Sequence, residues 1–94
     1  MKVDRDFLPE KFHILQPNGQ ILLKNPLIEI LGDHRVLVEN HRGLVGYTDD
    51  QIIIRVNNGY VFVKGISLKL RLMSKEKLVI CGKIHAVQLQ EETQ

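Results

Sequence analysis

From about residue 21 onward, apolar and polar positions alternate with a period of two, the spacing of a strand that buries one face. QIIIRV (51–56) and YVFVK (60–64) flank Asn58-Gly59, a strong signal for a two-residue hairpin loop. A loop at those residues sets Val56 opposite Val61 and Ile54 opposite Val63. Directly opposed residues share a face, so these four and Ile52 form one apolar surface. Ile53, Arg55, Tyr60, Phe62 and Lys64 take the other face. SLKLRLM (67–73) alternates as cleanly, with Leu68, Leu70 and Leu72 on one side and Lys69 and Arg71 on the other. Its expected partner is KLVICGKI (77–84). A three-residue loop at Ser74-Lys75-Glu76 pairs Leu72 with Leu78, Leu70 with Ile80, and Ile66 with Ile84. A four-residue loop would set Arg71 against Ile80 on the core face and is rejected.

The inward parity changes twice. Val61 and Val63 point in at odd numbers, whereas Ile66, Leu68 and Leu70 do so at even ones, with Gly65 at the switch. Leu78, Ile80 and Ile84 are even, Val87 and Leu89 odd, with Gly82 nearby. One extra residue beside a glycine is how a β-bulge bends a strand. VFVKGISLKL and LVICGKIHAV then read as two versions of one bent unit, 17 residues apart, and LIEILGDHRVLVE (27–39) as a fainter third around Gly32. The pattern predicts an all-β fold: a small antiparallel sandwich or roll of bent β-hairpins in a meander. Residues 1–20 lack this alternation and carry Pro9, Pro17 and the turn signal Asn18-Gly19. They read as an irregular arm or as a short helix over Asp6 to Phe12, before a β domain over 21–90 and a polar tail at 91–94.

Composition narrows the function classes. The 94 residues make one domain; such a chain buries roughly 60–65 % of its unfolded surface. A formal charge of +2 selects no partner, but the charges are unevenly placed. Residues 27–50 hold five acids against two arginines, and residues 51–90 hold seven Lys/Arg against Glu76 alone. Such a dipolar surface favours head-to-tail association or an acidic partner. Cys81 is the single cysteine, so no internal disulfide forms, and it reads as a small core residue. No apolar run approaches a membrane span or a signal peptide, which places the chain in the cytosol without direct membrane insertion. His13, His34, His41 and His85 show no metal-ligand spacing, and no nucleophile elbow or phosphate loop is present, so no metal, cofactor or catalytic residue is expected.

Two polar clusters remain. Glu39, Asn40, His41, Arg42 and Gly43 are nearly consecutive, and on an extended strand Arg42 cannot join Glu39 and His41 on one face. Asn40 and Gly43 suit a turn, so the run reads as a surface hairpin connection that doubles as a candidate partner contact. Arg55, Tyr60, Phe62 and Lys64 interleave basic and aromatic groups, the makings of a face that stacks single-stranded nucleic acid. Mild overall basicity and the absence of Trp make nucleic acid the lesser alternative.

The order of motifs resembles the small sporulation proteins of the YabP/YqfC family, the YqfC branch above all. The resemblance covers residues 17–90. It rests on Pro26 to Gly32, on Val-Glu-Asn-His-Arg-Gly-Leu at 38–44, on the acidic turn Tyr47 to Asp50, on VKG at 63–65 and on GKI at 82–84. It implies a non-enzymatic protein of the mother cell of an endospore-forming bacterium, needed for the spore envelope. It further implies a companion role to a membrane sporulation protein of the YqfD type. An unpaired edge strand would serve either that contact or self-association.

Overall fold

The computed structural model describes residues 25–92, so the expected arm and its helix at 6–12 lie outside the described residues. Six strands follow one another: β1 (Leu27–Leu31), β2 (Arg35–Glu39), β3 (Leu44–Tyr47), β4 (Gln51–Val56), β5 (Gly59–Met73) and β6 (Lys77–Glu91). All pair antiparallel, in the order β1-β2-β6-β5-β4-β3. The class is all-β, as the alternation predicts. The order is that of a meander with one departure: β2 lies beside β6, and β3 lies at the far edge.

The two long strands shape the molecule. The first half of β5, 59–64, pairs with β4, whereas β2 pairs with 77–81, the first half of β6. Each long strand therefore serves two half-sheets. The register between them slips at Lys64/Gly65, between Ile66 and Lys69, and between Leu70 and Leu72, and each slip bends the ribbon. At the bends the free backbone N–H groups are taken up by turns of the short hairpins. Asp33 and His34, in the β1–β2 turn, accept from Ile84 and Gly82 of β6 (2.6 and 3.3 Å). Asp49 and Asp50, in the β3–β4 turn, accept from Leu68 and Gly65 of β5 (2.7 and 3.1 Å). Leu70 N–H donates to the Tyr47 hydroxyl nearby (3.0 Å). The units VFVKGISLKL and LVICGKIHAV are thus two bends held in the same way.

Folding at the bends brings the inner faces of the half-sheets together. Val36, Val38, Leu78 and Ile80 from one half share a single buried cluster with Ile52, Ile54, Val61 and Val63 from the other. All eight have no exposed surface. Burial of this kind is the main favourable term in folding such a chain, at about 1.5–3 kcal/mol for each large aliphatic side chain.

Several details differ from the sequence pattern. The β4–β5 loop is Asn57-Asn58, and Ile54 faces Val61 while Ile52 faces Val63. Asn58 adopts the left-handed φ of 72° itself, which asparagine tolerates, so the glycine is not needed in the loop. Gly59 instead lies where an added Cβ would collide with the carbonyl of Gln90. The shift is two residues, so both faces keep their members. In the β5–β6 hairpin Leu70 does face Ile80, but Leu72 faces Val79, Met73 faces Leu78, and Ile66 faces Lys83. The extra residue at Arg71 turns Leu72 to the outer surface, where it is 48 % exposed. The parity change in β5 falls after Gly65, at Ser67 with φ 54°, and leaves Ile66 in solvent. In β6 the change falls at His85, which has no partner between Lys64/Ala86 and Gly65/Ile84. Leu89 lies on the inner face, opposite Val61, yet is 71 % exposed. Residues 27–39 are not a third bent strand but a tight hairpin turning at Gly32 (φ 55°).

Candidate functional site

The run 39–43 is not a hairpin tip. Because β2 and β3 stand at different places in the sheet, residues 40–43 carry the chain from one half-sheet to the other. Asn40 N–H donates to the carbonyl of Glu76 (2.7 Å), at the β5–β6 turn. Two residues on, Arg42 N–H donates to Arg55 C=O and Arg55 N–H to Gly43 C=O, at 2.7 and 2.8 Å. The corner thus ties the β5–β6 turn to the far end of β4. Asn40 (φ 64°) and Gly43 (φ 126°) supply its left-handed backbone; no atom lies within 4 Å of a Cβ on Gly43, so backbone angle alone selects glycine there.

His41 is held at both ring nitrogens. Gly43 N–H lies 3.0 Å from Nδ1, which must therefore accept, and Nε2 then carries the hydrogen that it donates to Ser74 C=O at 2.8 Å. This fixes the tautomer and uses the ring as a strut between corner and turn. Glu39 faces Lys77 across the strands with their charges 3.6 Å apart, and the Asn40 side chain donates to Asn25 C=O (3.0 Å). Arg42 is exposed and has no ion-pair partner among the described residues. Of the five residues, Arg42 alone offers a side-chain charge uncommitted among the described residues. Replacing His41 with Ala removes both bonds and should lower stability by about 1–2 kcal/mol in chemical denaturation. An unchanged midpoint would remove the strut.

The second cluster does assemble. Arg55 faces Tyr60 directly, and Tyr60, Phe62 and Lys64 follow along β5 on the same outer face. Arg55 Nη1 donates to the Tyr60 hydroxyl at 2.7 Å, its guanidinium carbon lies 5.2 Å from that ring's centre, and Tyr60 meets Phe62 edge-on at 6.5 Å. Yet Arg55 Nη2 also bonds the Glu92 carboxylate at 3.2 Å. The cation that phosphate contact would need is thereby matched by an acid.

Elsewhere, Lys83 donates to the exposed Asp33 carboxylate. That bond, and the charge behind it, holds the Asp33 carboxyl below its ordinary range. The stabilisation is present above the ordinary carboxylate pKa and disappears as pH falls through the lowered one; in so exposed a pair it is slight. No group of three or more His, Cys, Asp or Glu side chains converges among the described residues. No helix among them is long and apolar enough to cross a membrane.

A small folded-over sheet whose polar clusters brace its own turns defines a β-framework class of protein. Residues 22–94 match the model of the YabP family, and the chain belongs to that sporulation-associated family. It is also similar to the uncharacterized protein YqfC of Bacillus subtilis (strain 168), at 22 % identity over 71 residues, or 76 % of each chain. No solved structure matches it.

Proposed function

We propose that this chain is a non-catalytic adaptor of spore-envelope formation, contributing to coat or cortex assembly. It acts in the mother-cell cytoplasm, held at the forespore-facing membrane by a membrane sporulation protein of the YqfD type. Family membership supports the setting. The observation that carries the adaptor role is apolar surface left uncovered at both sheet edges: Leu27, Ile30 and Leu31 on β1, Val45 and Tyr47 on β3, all 47–56 % exposed. Edge strands bearing such residues invite a partner chain or a second copy. At the corner, Arg42 is the contact residue this reading favours, while Glu39, Asn40, His41 and Gly43 set its position.

The test is crosslinking in sporulating cells with Arg42→Glu, which leaves the backbone bonds of the corner intact. Recovery of the membrane partner should fall several-fold at unchanged protein level. Undiminished recovery would make the corner a structural link only. The co-facial Arg55, Tyr60, Phe62 and Lys64 keep single-strand nucleic-acid binding as the second reading. It predicts binding that weakens steeply with salt, and no binding at low salt removes it.

A further inference from the structure

The rows of residues across β1, β2, β6 and the second half of β5 expose a surface that no contact among the described residues explains. One row runs Leu31, Arg35, Cys81, Lys69; the next runs Glu29, Leu37, Val79, Leu72. Both rows face away from the core, because the rows between and beside them hold the buried Val36 and Ile80, then Val38 and Leu78. Leu31 is 55 % exposed and Leu72, turned outward at Arg71, 48 %. A groove of about 500 Å³ opens here, lined by Glu29, Ile30, Leu31, Arg35, Leu37 and Val79. Arg35 lines it, Lys69 ends the first row, and Arg71 precedes Leu72, which ends the second. All three are exposed and without an ion pair among the described residues, whereas Arg55, Lys77 and Lys83 each have one. Glu29 is the single acid in the two rows.

We infer that this face is a docking surface for an acidic amphipathic helix of a partner protein. The inference rests on the adaptor reading and names the chemistry of the partner. Apolar side chains of the helix fill the groove against Leu31, Leu37, Val79 and Leu72, and its carboxylates meet Arg35, Lys69 and Arg71. A helix is specified rather than a strand because the groove floor is β2 and β6, whose main-chain groups already serve sheet neighbours on both sides. A segment lying across them must satisfy its own backbone, as a helix does. Charge complementarity specifies the acid: opposite charges across an interface set register and suppress wrong partners.

Cys81, the only cysteine in the chain, sits half-buried between Arg35 and Lys69 in the first row and reports occupancy without any mutation. The probe is a synthetic helical peptide of leucine and glutamate, about 14 residues long, enough to cross four strands. A lysine-for-glutamate version serves as control. The full-length chain should bind the acidic peptide and not the lysine one, with Cys81 alkylation slowed in step with binding. Arg35→Glu with Lys69→Glu should weaken the acidic peptide about tenfold or more and admit the lysine peptide. That exchange shows a charge effect in a protein that still folds. Equal binding of the two peptides, no protection of Cys81, or indifference to the charge reversal overturns the inference. So does a photocrosslinker at position 37 that captures the chain's own residues 1–20. If the peptide fails while partner recovery in cells still depends on Arg42, this face is wrong and the adaptor reading stands.

Discussion

Gly65→Ala should unfold much of the population at temperatures the native protein tolerates. A Cβ on Gly65 would overlap the carbonyl oxygen of Lys83 and press on the Lys83 carbonyl carbon and Leu68 Cδ2, at 3.0 and 3.1 Å. The first two are backbone atoms of the paired strand, so the clash cannot be relieved by turning a side chain. Relief requires β5 and β6 to separate at the bend, where Gly65 N–H also bonds Asp50 C=O. Overpacking of this kind costs about 3 kcal/mol, against a total stability on the order of 5–15 kcal/mol for such a domain. Thermal unfolding should therefore shift down by roughly 10–20 °C. Gly46→Ala is the matched control, because its Cβ meets only Ile53 side-chain atoms at 3.4–3.8 Å, ordinary contact. Equal losses for the two variants would mean that the close approach at the bend is not the cause.

Ile80→Ala should cost nearly as much for a different reason. Ile80 faces Val36 on one side and Leu70 on the other, and has no exposed surface. Truncation leaves a cavity between half-sheets that are pinned at both bends and cannot easily collapse, so the loss should be about 2–5 kcal/mol. Leu89→Ala tests the same chemistry at a position that alternation alone would count as inward. With 71 % of its surface exposed, its removal should change stability by no more than about 0.5 kcal/mol. Denaturant midpoints for the pair check this; a large loss at Leu89 or a small one at Ile80 contradicts this assignment of burial.

The sequence made the strands visible because their signal is local. Alternation over four to eight residues identifies the inward face whichever neighbour the strand finds, which is why Ile52, Ile54, Val61 and Val63 read correctly even though the loop is one residue earlier than Asn58-Gly59 suggests. Bulges are not local in that sense. The extra residue at Arg71 exists only relative to a partner strand, so Leu72 could not be placed outside from alternation. Leu89, on the inner face opposite Val61, is exposed for want of a covering neighbour among the described residues, which alternation cannot report. Glycine misled for a related reason: Gly59 and Gly65 are fixed by the backbone passing beside them, not by a turn.

The 39–43 run shows the same divide. Its turn-forming residues were legible, and the left-handed Asn40 and Gly43 agree with them. Its crossing between half-sheets was not, because that depends on β6 returning to lie beside β2. The role of His41 had a faint local trace, a ring nitrogen two residues before a backbone N–H it can bond. The bond to Ser74, 33 residues away, had none. The outer groove was equally hidden, since Leu31, Leu37, Val79 and Leu72 come from four separate strands and one of them is turned outward by a bulge.

The corner and the outer face both require one sheet folded on itself, with β2 and β4 contributing to a shared core. Methyl–methyl NOE spectroscopy on protein labelled at Ile, Leu and Val tests this most directly. The fold predicts cross-peaks joining the group Val36, Val38, Leu78 and Ile80 to the group Ile52, Ile54, Val61 and Val63. Cross-peaks confined within each group, with none between them, would describe an open sheet and contradict the account.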